Sequence, residues 1–443
     1  MYRRPPMPDR LRNFAARHAR LPLVLLALVS LASLGARVGG LGDPCRSPCR
    51  SASDHLLIFD EAYYVNSARN IAELRPPPGS TYDDDPLGDD PNAEHPQLAK
   101  LVMAGSIELF GDGPFAWRLG SLLCGSLAIL GLYALVRAAG GRPWLALGAS
   151  TLAACDNLLL VHGRIGTLDI YAVAAMIWAA VAYLRGRPFV AGALIGVGAC
   201  AKEVAPYLLA ALALFEALRW LADRTDPRAR LGRLAACTAT AAVVFIGLLG
   251  VLDAIAPPFA DATQTAVTGG PLAHLAHMIS YAAGQTSPHG PTGIASYPWQ
   301  WLYDYKPIDY LSINPVHPTG GLLHLHASVH FLGMMSPPIV LLALPAIALG
   351  LIGLRRRADD VALLGAAWSI GTFIPFELES LIWSRTSYIY YMAIVMPGIY
   401  VAVAALIARV PKRIRPLVWA AWAWGVAVLI AAIVMYPFAP WPS

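Results

Sequence analysis

Adjacent carboxylates open the segment Phe59-Asp60-Glu61-Ala62-Tyr63-Tyr64, shortly after the first long apolar run of the chain. An aspartate beside a glutamate suits a general base with an electrostatic partner; an acidic pair also suits a helix start simply by complementing its dipole. A second group follows in Glu94-His95-Pro96-Gln97-Leu98-Ala99-Lys100, where Pro96 stands at a helix start and Lys100 on its first turns. Lys100 either joins a site or snorkels to lipid headgroups. Arg164 and Asp169 share a turn between two apolar runs, and Lys202 and Glu203 share another. Ionisable residues in such turns face a cavity or each other. An Arg164–Asp169 bridge and a self-neutralised Lys202–Glu203 pair are therefore the plain alternatives to a site. Arg118 lies at the end of a further apolar run. Several cations with two or more carboxylates, at a lipid–water boundary, match an anionic phosphate headgroup and a nucleophile that must lose a proton.

The elements that must position these residues are membrane helices. The chain has 443 residues, of which 57% are hydrophobic and 14% charged, far from the usage of soluble domains. Continuous apolar runs of spanning length exclude a water-soluble enzyme, a DNA-binding factor and a β-barrel, whose strands would alternate. The net charge of +5 sits in short loops and reports topology; it calls for a bilayer and for no nucleic acid.

Arg3, Arg4, Arg10, Arg12, Arg17 and Arg20 precede the run 21–38, so residues 1–20 read as a cytoplasmic tail. The acidic stretch that follows is then external. Residues 97–112 are read as a helix lying on the outer surface, because only then do Arg137, Arg142 and the later basic loops face inward. Further spans are predicted at 115–136, 143–161, 168–184, 188–201, 204–218 and 234–256, and after them at 332–354, 361–376, 387–408 and 416–437. The predicted fold is an all-α polytopic membrane protein of about eleven transmembrane helices. It divides into a core, 21–256, that includes the external loop 39–114; a second long external loop, 257–331; and a four-helix region, 332–443.

Cys124, Cys155, Cys200 and Cys237 fall in apolar runs and read as small buried hydrophobes. Cys45 and Cys49 lie in a loop, where two free thiols are favoured over a local disulfide. His274, His277, His324, His326 and His330 have metal-compatible spacings, but no carboxylate or cysteine pattern completes a site. No Walker sequence is present, so catalysis requires a preactivated substrate.

Six ordered motifs resemble a known family. They are Phe59-Asp60-Glu61-Ala62-Tyr63-Tyr64; His95-Pro96-Gln97-Leu98-Ala99-Lys100; Phe110 to Arg118; Asp156-Asn157 with Arg164 and Leu168-Asp169; Ala201-Lys202; and Ser296 to Trp301. The chain looks like the polyprenyl-phosphate-dependent glycosyltransferases of the GT-C fold, in particular the protein O-mannosyltransferases. That family usually has His-Pro-Pro where this chain has Gln97, and its eukaryotic members carry an inserted domain in the second long loop that is absent here.

The resemblance implies transfer of a sugar, mannose first among candidates, from a lipid-phosphate carrier to an acceptor hydroxyl, with inversion at the anomeric carbon. It makes this chain an enzyme of a bacterial plasma membrane whose site faces outward and whose acceptor is Ser or Thr of exported proteins. Asp60 would be the base, Glu61 its neighbour, and Asp169 a second acid of the site. Arg118, Arg164, Lys202 and Lys100 would serve the carrier phosphate. Tyr64, His95, Trp299 and Trp301 would contact sugar or acceptor, membrane anchoring being the alternative for the two tryptophans. A divalent ion between Asp60 and Asp169 is the alternative to a metal-free site, which is favoured because cations already serve the phosphate. A glycolipid or cell-wall glycan is the rival acceptor. A lipid-linked-sugar transporter or flippase is the rival class, opposed by the apolar inner halves of the spans and the lack of a visible internal repeat.

Overall fold

Prolines punctuate the chain where helices begin: Pro114, Pro143, Pro188, Pro227 and Pro271 each occupy the first helical position, where the missing N–H is no loss. The computed structural model describes residues 9–46, 49–224, 226–304, 306–313, 329–352 and 360–438. In order, its helices are α1 (Asp9–Val38), α2 (Glu61–Ile71), α3 (Leu98–Phe110), α4 (Pro114–Ala138), α5 (Pro143–Ala154), α6 (Asn157–His162), α7 (Asp169–Leu184), α8 (Pro188–Ala201), α9 (Tyr207–Asp223), α10 (Pro227–Ile255), α11 (Pro271–Gly284), α12 (Pro298–Trp301), α13 (Pro337–Val340), α14 (Ala343–Ile352), α15 (Asp360–Trp383), α16 (Met396–Ile407) and α17 (Arg415–Val434).

Among the described residues, five stretches are long and apolar enough to cross a membrane: Arg20–Val38, Pro114–Ala138, Pro227–Ile255, Asp360–Trp383 and Arg415–Val434. Asp169–Leu184, Pro188–Ala201, Pro337–Ile352 and Met396–Ile407 are apolar but shorter. The thirteen residues of α3 extend only about 20 Å at the helical rise, too short for a hydrocarbon core of about 30 Å.

Three expectations about the secondary-structure elements are corrected. The predicted span 143–161 is broken after Ala154, because Asp156 turns out of the helix and caps α6 by accepting from Leu159 N at 3.2 Å. The span predicted from 332 begins at Pro337, since Val329–Gly333 is strand β4. The chain is also not purely helical. Strands β1 (Phe259–Ala260) and β2 (Thr265–Ala266) form one small hairpin, and β3 (Ile308–Ile313) pairs antiparallel with β4. Alternation buries Ile308 and Tyr310 on one face of β3.

Helix α7 is buried along nearly its whole length and packs between α4 and α8. Helix α8 in turn lies against α10 across Gly192 and Gly196, where an added Cβ would come within 2.3 Å of Cys237 O and 2.8 Å of Ala241 O. This small-residue contact is how membrane helices approach closely without a hydrophobic driving force. It fixes the tilt of α8 and so the place of Lys202 at its C-terminal end.

Cys45 and Cys49 are joined as a disulfide, against the expectation of free thiols; the Arg46 O to Cys49 N turn brings their Cα atoms to 5.6 Å, within the range a disulfide spans.

Candidate active site

The ends of four elements converge: the start of α2, the start of α7, the end of α8 and the loop before α3. Asp60 immediately precedes α2. Its neighbour Phe59 has φ +54°, a conformation costly for a bulky side chain and tolerated only where the surroundings impose it. The surroundings are aromatic: the Phe59 ring stacks on Tyr310 at 4.0 Å and meets Tyr390 edge-on at 5.5 Å. On the other side Glu61 is anchored by four donors. It accepts from Ile58 N at 2.8 Å, Gly166 N at 2.7 Å, and Arg118 through Nε and Nη2 at 2.7 Å each. Asp60 is thus clamped between two immobilised residues.

Opposite it, Asp169 opens α7 and meets Lys202 Nζ at 2.9 Å. His162 Nδ1 lies 3.8 Å from the other Asp169 oxygen, and His162 Nε2 shares a hydrogen bond of 2.8 Å with Tyr310 OH. Lys202 also sits 5.4 Å above the Tyr390 ring. Asp60 keeps part of its surface open, yet the protein crowds it enough to push its carboxyl up to about 6; Lys202 opposes that rise, Asp169 adds to it, and His95 and a hydrogen bond from Tyr64 oppose it further. A carboxylate tuned to this range accepts a proton near neutral pH and is a better base than an ordinary aspartate.

His95 pairs with Glu203 at 3.1 Å and meets the Tyr64 ring edge at 6.1 Å. Burial works against ionisation of Glu203, but His95 and Lys202 outweigh it and hold the carboxyl down to about 2. Burial likewise opposes the Lys202 charge, and Asp169 with Glu203 reverses the effect, so that Lys202 stays protonated.

The plain alternatives do not occur: Arg164 does not bridge to Asp169, and Lys202 pairs with Asp169 rather than Glu203. Arg164 caps α1 instead. Its guanidinium donates to the carbonyls of Arg37 at 3.1 Å, Gly39 at 2.6 Å and Gly40, and rests 4.6 Å from the Phe438 ring; a cation there complements the helix dipole. Arg118 also donates from its remaining nitrogen, Nη1, to Leu41 O. Lys100 is no snorkelling lysine: it is fully buried, 2.5 Å from Asp90, with further donation to Asn92 O at 2.6 Å and His95 O at 2.9 Å. Trp301 is buried and donates to Ser296 Oγ at 2.9 Å, whereas Trp299 is exposed and stacks on Tyr297 at 4.2 Å. His274 is buried against Asp253 at 2.7 Å, and His330 pairs with Ser312 at 3.1 Å; His324 and His326 lie outside the described residues.

Sequence reasoning missed the far wall. His162, Tyr310, Tyr388, Tyr390 and Tyr391 line it, with Tyr388 and Tyr390 stacked at 5.7 Å and 7°. The signal was Tyr388-Ile389-Tyr390-Tyr391 next to Arg385 at the head of an apolar run, a polar aromatic cluster where membrane depth would call for leucine.

As for a metal, Asp169 is already paired with Lys202 and Asp60 lies in the field of the same ammonium. The metal-type donors grouped among the described residues are Cys45, Cys49 and His55, and there the two sulfurs are bonded to each other.

This geometry lies largely within a recognisable segment. Residues 94–249 match the dolichyl-phosphate-mannose-protein mannosyltransferase family. That mannosyltransferase-like segment carries His95, Lys100, Arg118, Arg164, Asp169, Lys202 and Glu203; Asp60, Glu61 and Arg385 fall outside it. Over 183 residues, 41% of the chain, the protein is 29% identical to the polyprenol-phosphate-mannose–protein mannosyltransferase of Corynebacterium glutamicum. The match spans about a third of that relative's length, 32%.

Solved structures extend the likeness in fold to nearly the whole chain. The S. cerevisiae protein O-mannosyltransferase Pmt1–Pmt2 complex bound to the sugar donor superposes with a TM-score of 0.67 at 10% identity, covering 94% of this chain and 90% of that one. ArnT from Cupriavidus metallidurans bound to undecaprenyl phosphate gives 0.56 at 17% identity over 94% of this chain and 65% of that one. The oligosaccharyltransferase of Archaeoglobus fulgidus gives 0.56 at 17% over 96% and 57%. The fold is therefore the helical GT-C architecture that the six motifs suggested.

Proposed function

We propose that the protein transfers a mannosyl group from a polyprenyl-phosphate carrier to a Ser or Thr hydroxyl of an exported protein, at the outer face of a bacterial plasma membrane. The observation that carries the reading is the convergence of Asp60 with the Asp169–Lys202 pair, within a fold shared with a mannosyltransferase complex bound to its sugar donor. The likeness of residues 94–249 supports mannose as the sugar and the polyprenol-phosphate relative supports the carrier.

In this mechanism Asp60 takes the proton of the acceptor hydroxyl as its oxygen attacks the anomeric carbon. The bond from that carbon to the phosphate oxygen breaks, its electron pair leaves with polyprenyl phosphate, and attack from the opposite face inverts the centre. Lys202 faces the negative charge that develops on the leaving phosphate, and Asp169 holds the ammonium in place. His95, Glu203, Tyr64 and Trp299 border the approach of sugar and acceptor. Glu61, Arg118, Arg164 and Lys100 act at one remove: they fix the Asp60 turn, the end of α1 and the loop before α3. The excess of basic residues in the loops between spans supports an internal N-terminus and an external site.

The test is transfer from radiolabelled polyprenyl-phosphate-mannose in membranes containing the protein, with label followed into protein and into lipid. Label in protein that disappears in Asp60→Asn supports the reading. Label in lipid or glycan alone replaces the acceptor class, and carrier crossing the bilayer without transfer replaces the enzyme with a flippase.

A further inference from the structure

The leaving group of such a transfer gains a second negative charge on its phosphate as the sugar departs, and it remains tied to a lipid chain at the membrane edge. A cation that serves it must reach both the cleft and the lipid boundary. Three of the cations that stand out in the sequence do neither. Arg118 is closed on Glu61 and Leu41 O, Arg164 on the carbonyls ending α1, and Lys100 on Asp90, Asn92 and His95, all fully buried. Lys202 is in the cleft but lies deep and paired.

We propose that Arg385 binds the carrier phosphate, standing between the lipid-facing end of α15 and the cleft; this rests on the sugar-transfer reading above. Helix α15 ends at Trp383, and Leu381, Ile382 and Trp383 are 66%, 62% and 65% exposed, an apolar rim of the kind that faces hydrocarbon. Arg385 follows two residues on. Its side chain is 22% exposed; Nε pairs with Glu379 at 3.1 Å and Nη1 donates to Ala282 O. A guanidinium has five N–H donors in a planar fork, so these two contacts leave the fork able to take phosphate oxygens, the geometry for which arginine is suited.

The cleft side of Arg385 leads to the base. Its charge and that of Lys202 both act on the Tyr391 hydroxyl, and it also lies within electrostatic reach of Glu203 and Tyr207. Tyr388 feels both Arg385 and Asp60. A phosphate between Arg385 and Lys202 thus sits at the membrane edge with its sugar toward Asp60. The loop is held for this by backbone pairing across two segments: Thr386 N to Gln285 O at 2.9 Å, Ser287 N to Ser384 O at 2.7 Å and Ser296 N to Ser387 O at 3.0 Å. When the bond from anomeric carbon to oxygen breaks, the electron pair comes to rest on a phosphate oxygen that Arg385 hydrogen-bonds.

The experiment measures binding of polyprenyl phosphate, the product lipid, to the full-length protein in nanodiscs, apart from sugar transfer. Arg385→Gln is expected to weaken it roughly tenfold, the loss of about one charge-assisted hydrogen bond, and to raise the donor KM more than it lowers kcat. Arg385→Lys retains most of the binding. Glu379→Gln removes the internal counter-ion and leaves binding as tight or tighter. If Glu379→Gln weakens binding as much as Arg385→Gln, the pair merely braces the loop and the proposal fails. It also fails if Arg385→Gln leaves polyprenyl phosphate binding unchanged, or if phosphatidylglycerol or inorganic phosphate competes as well as polyprenyl phosphate. Arg385-dependent binding in a protein that transfers no mannose would overturn the sugar reading and keep the site; a wild type that binds no polyprenyl phosphate overturns both.

Discussion

Lys202 and Asp169 meet at 2.9 Å where the C-terminal end of α8 lies beside the start of α7, and this one contact ties the helix packing to the proposed chemistry. The two helices are brought together along α7, and the Gly192 and Gly196 contact seats α8 on α10. Burying the two charges carries a desolvation cost that their mutual attraction offsets, and both remain in the field of Asp60. The pair is thereby a fixed electrostatic floor for Asp60 in its proposed role as the base.

Asp60→Asn removes that base. Transfer is expected to fall by roughly a hundredfold or more, the usual range for a general base, while expression and thermal midpoint stay near wild type because Asp60 is partly exposed. The pH dependence has a definite sign. With the Asp60 carboxyl at about 6, the group is protonated and inactive as a base below that value, so kcat/KM should rise through pH 6 and level off above it. A profile with its acid limb near pH 4 would assign the work to an ordinary, unperturbed carboxylate.

Glu61 and Arg118 should behave differently from Asp60 despite their proximity. Their bidentate pair is fully buried, and removal of one member of such a pair costs about 3–5 kcal/mol through the charge left behind. Arg118→Ala should lower the thermal midpoint in detergent markedly, and Glu61→Gln should do so as well. Loss of activity at unchanged stability in Glu61→Gln would place Glu61 in the chemistry rather than beneath it.

The sequence marks most of these positions because ionisable residues in apolar surroundings are conspicuous: Asp60, Asp169, Lys202 and Arg164 stand out by contrast alone. Their partners are another matter. Arg164 finds the carbonyls of residues about α1, 125 positions earlier for Gly39, and Arg118 finds Glu61 across 57. Such choices depend on helix packing, which charge and hydropathy patterns do not encode. The aromatic wall was hidden for the opposite reason: tyrosines at 388, 390 and 391 count as hydrophobic and blend into the apolar run that follows. The break at Asp156 shows a local preference overriding a pattern, since a helix-capping aspartate interrupts hydropathy that otherwise continues.

The ion pair at the cleft floor is open to a double-mutant cycle. Asp169→Asn and Lys202→Met each leave one buried charge or polar group without its partner, and each should lower kcat/KM substantially. Because they act as a unit, the double variant is expected to be no worse than the poorer single one, with a coupling energy on the order of 1–3 kcal/mol. Additive losses in steady-state rates would show the two groups working independently.

Phe59 offers a test of strain at the base. Its φ of +54° costs a residue with a Cβ about 1–2 kcal/mol relative to glycine, and the stack on Tyr310 at 4.0 Å offsets that cost. Phe59→Ala loses the stack and keeps the strain, whereas Phe59→Gly loses the stack and relieves the strain. The glycine variant should therefore be more stable than the alanine variant by about 1 kcal/mol, read as the higher thermal midpoint of the two in the same detergent. Both should transfer sugar more slowly than wild type, because the Asp60 carboxyl is then aimed by a turn clamped only from the Glu61 side. Equal midpoints for the two variants would mean that Phe59 leaves the left-handed conformation without cost, and the clamp on Asp60 would have to be sought in Glu61 alone.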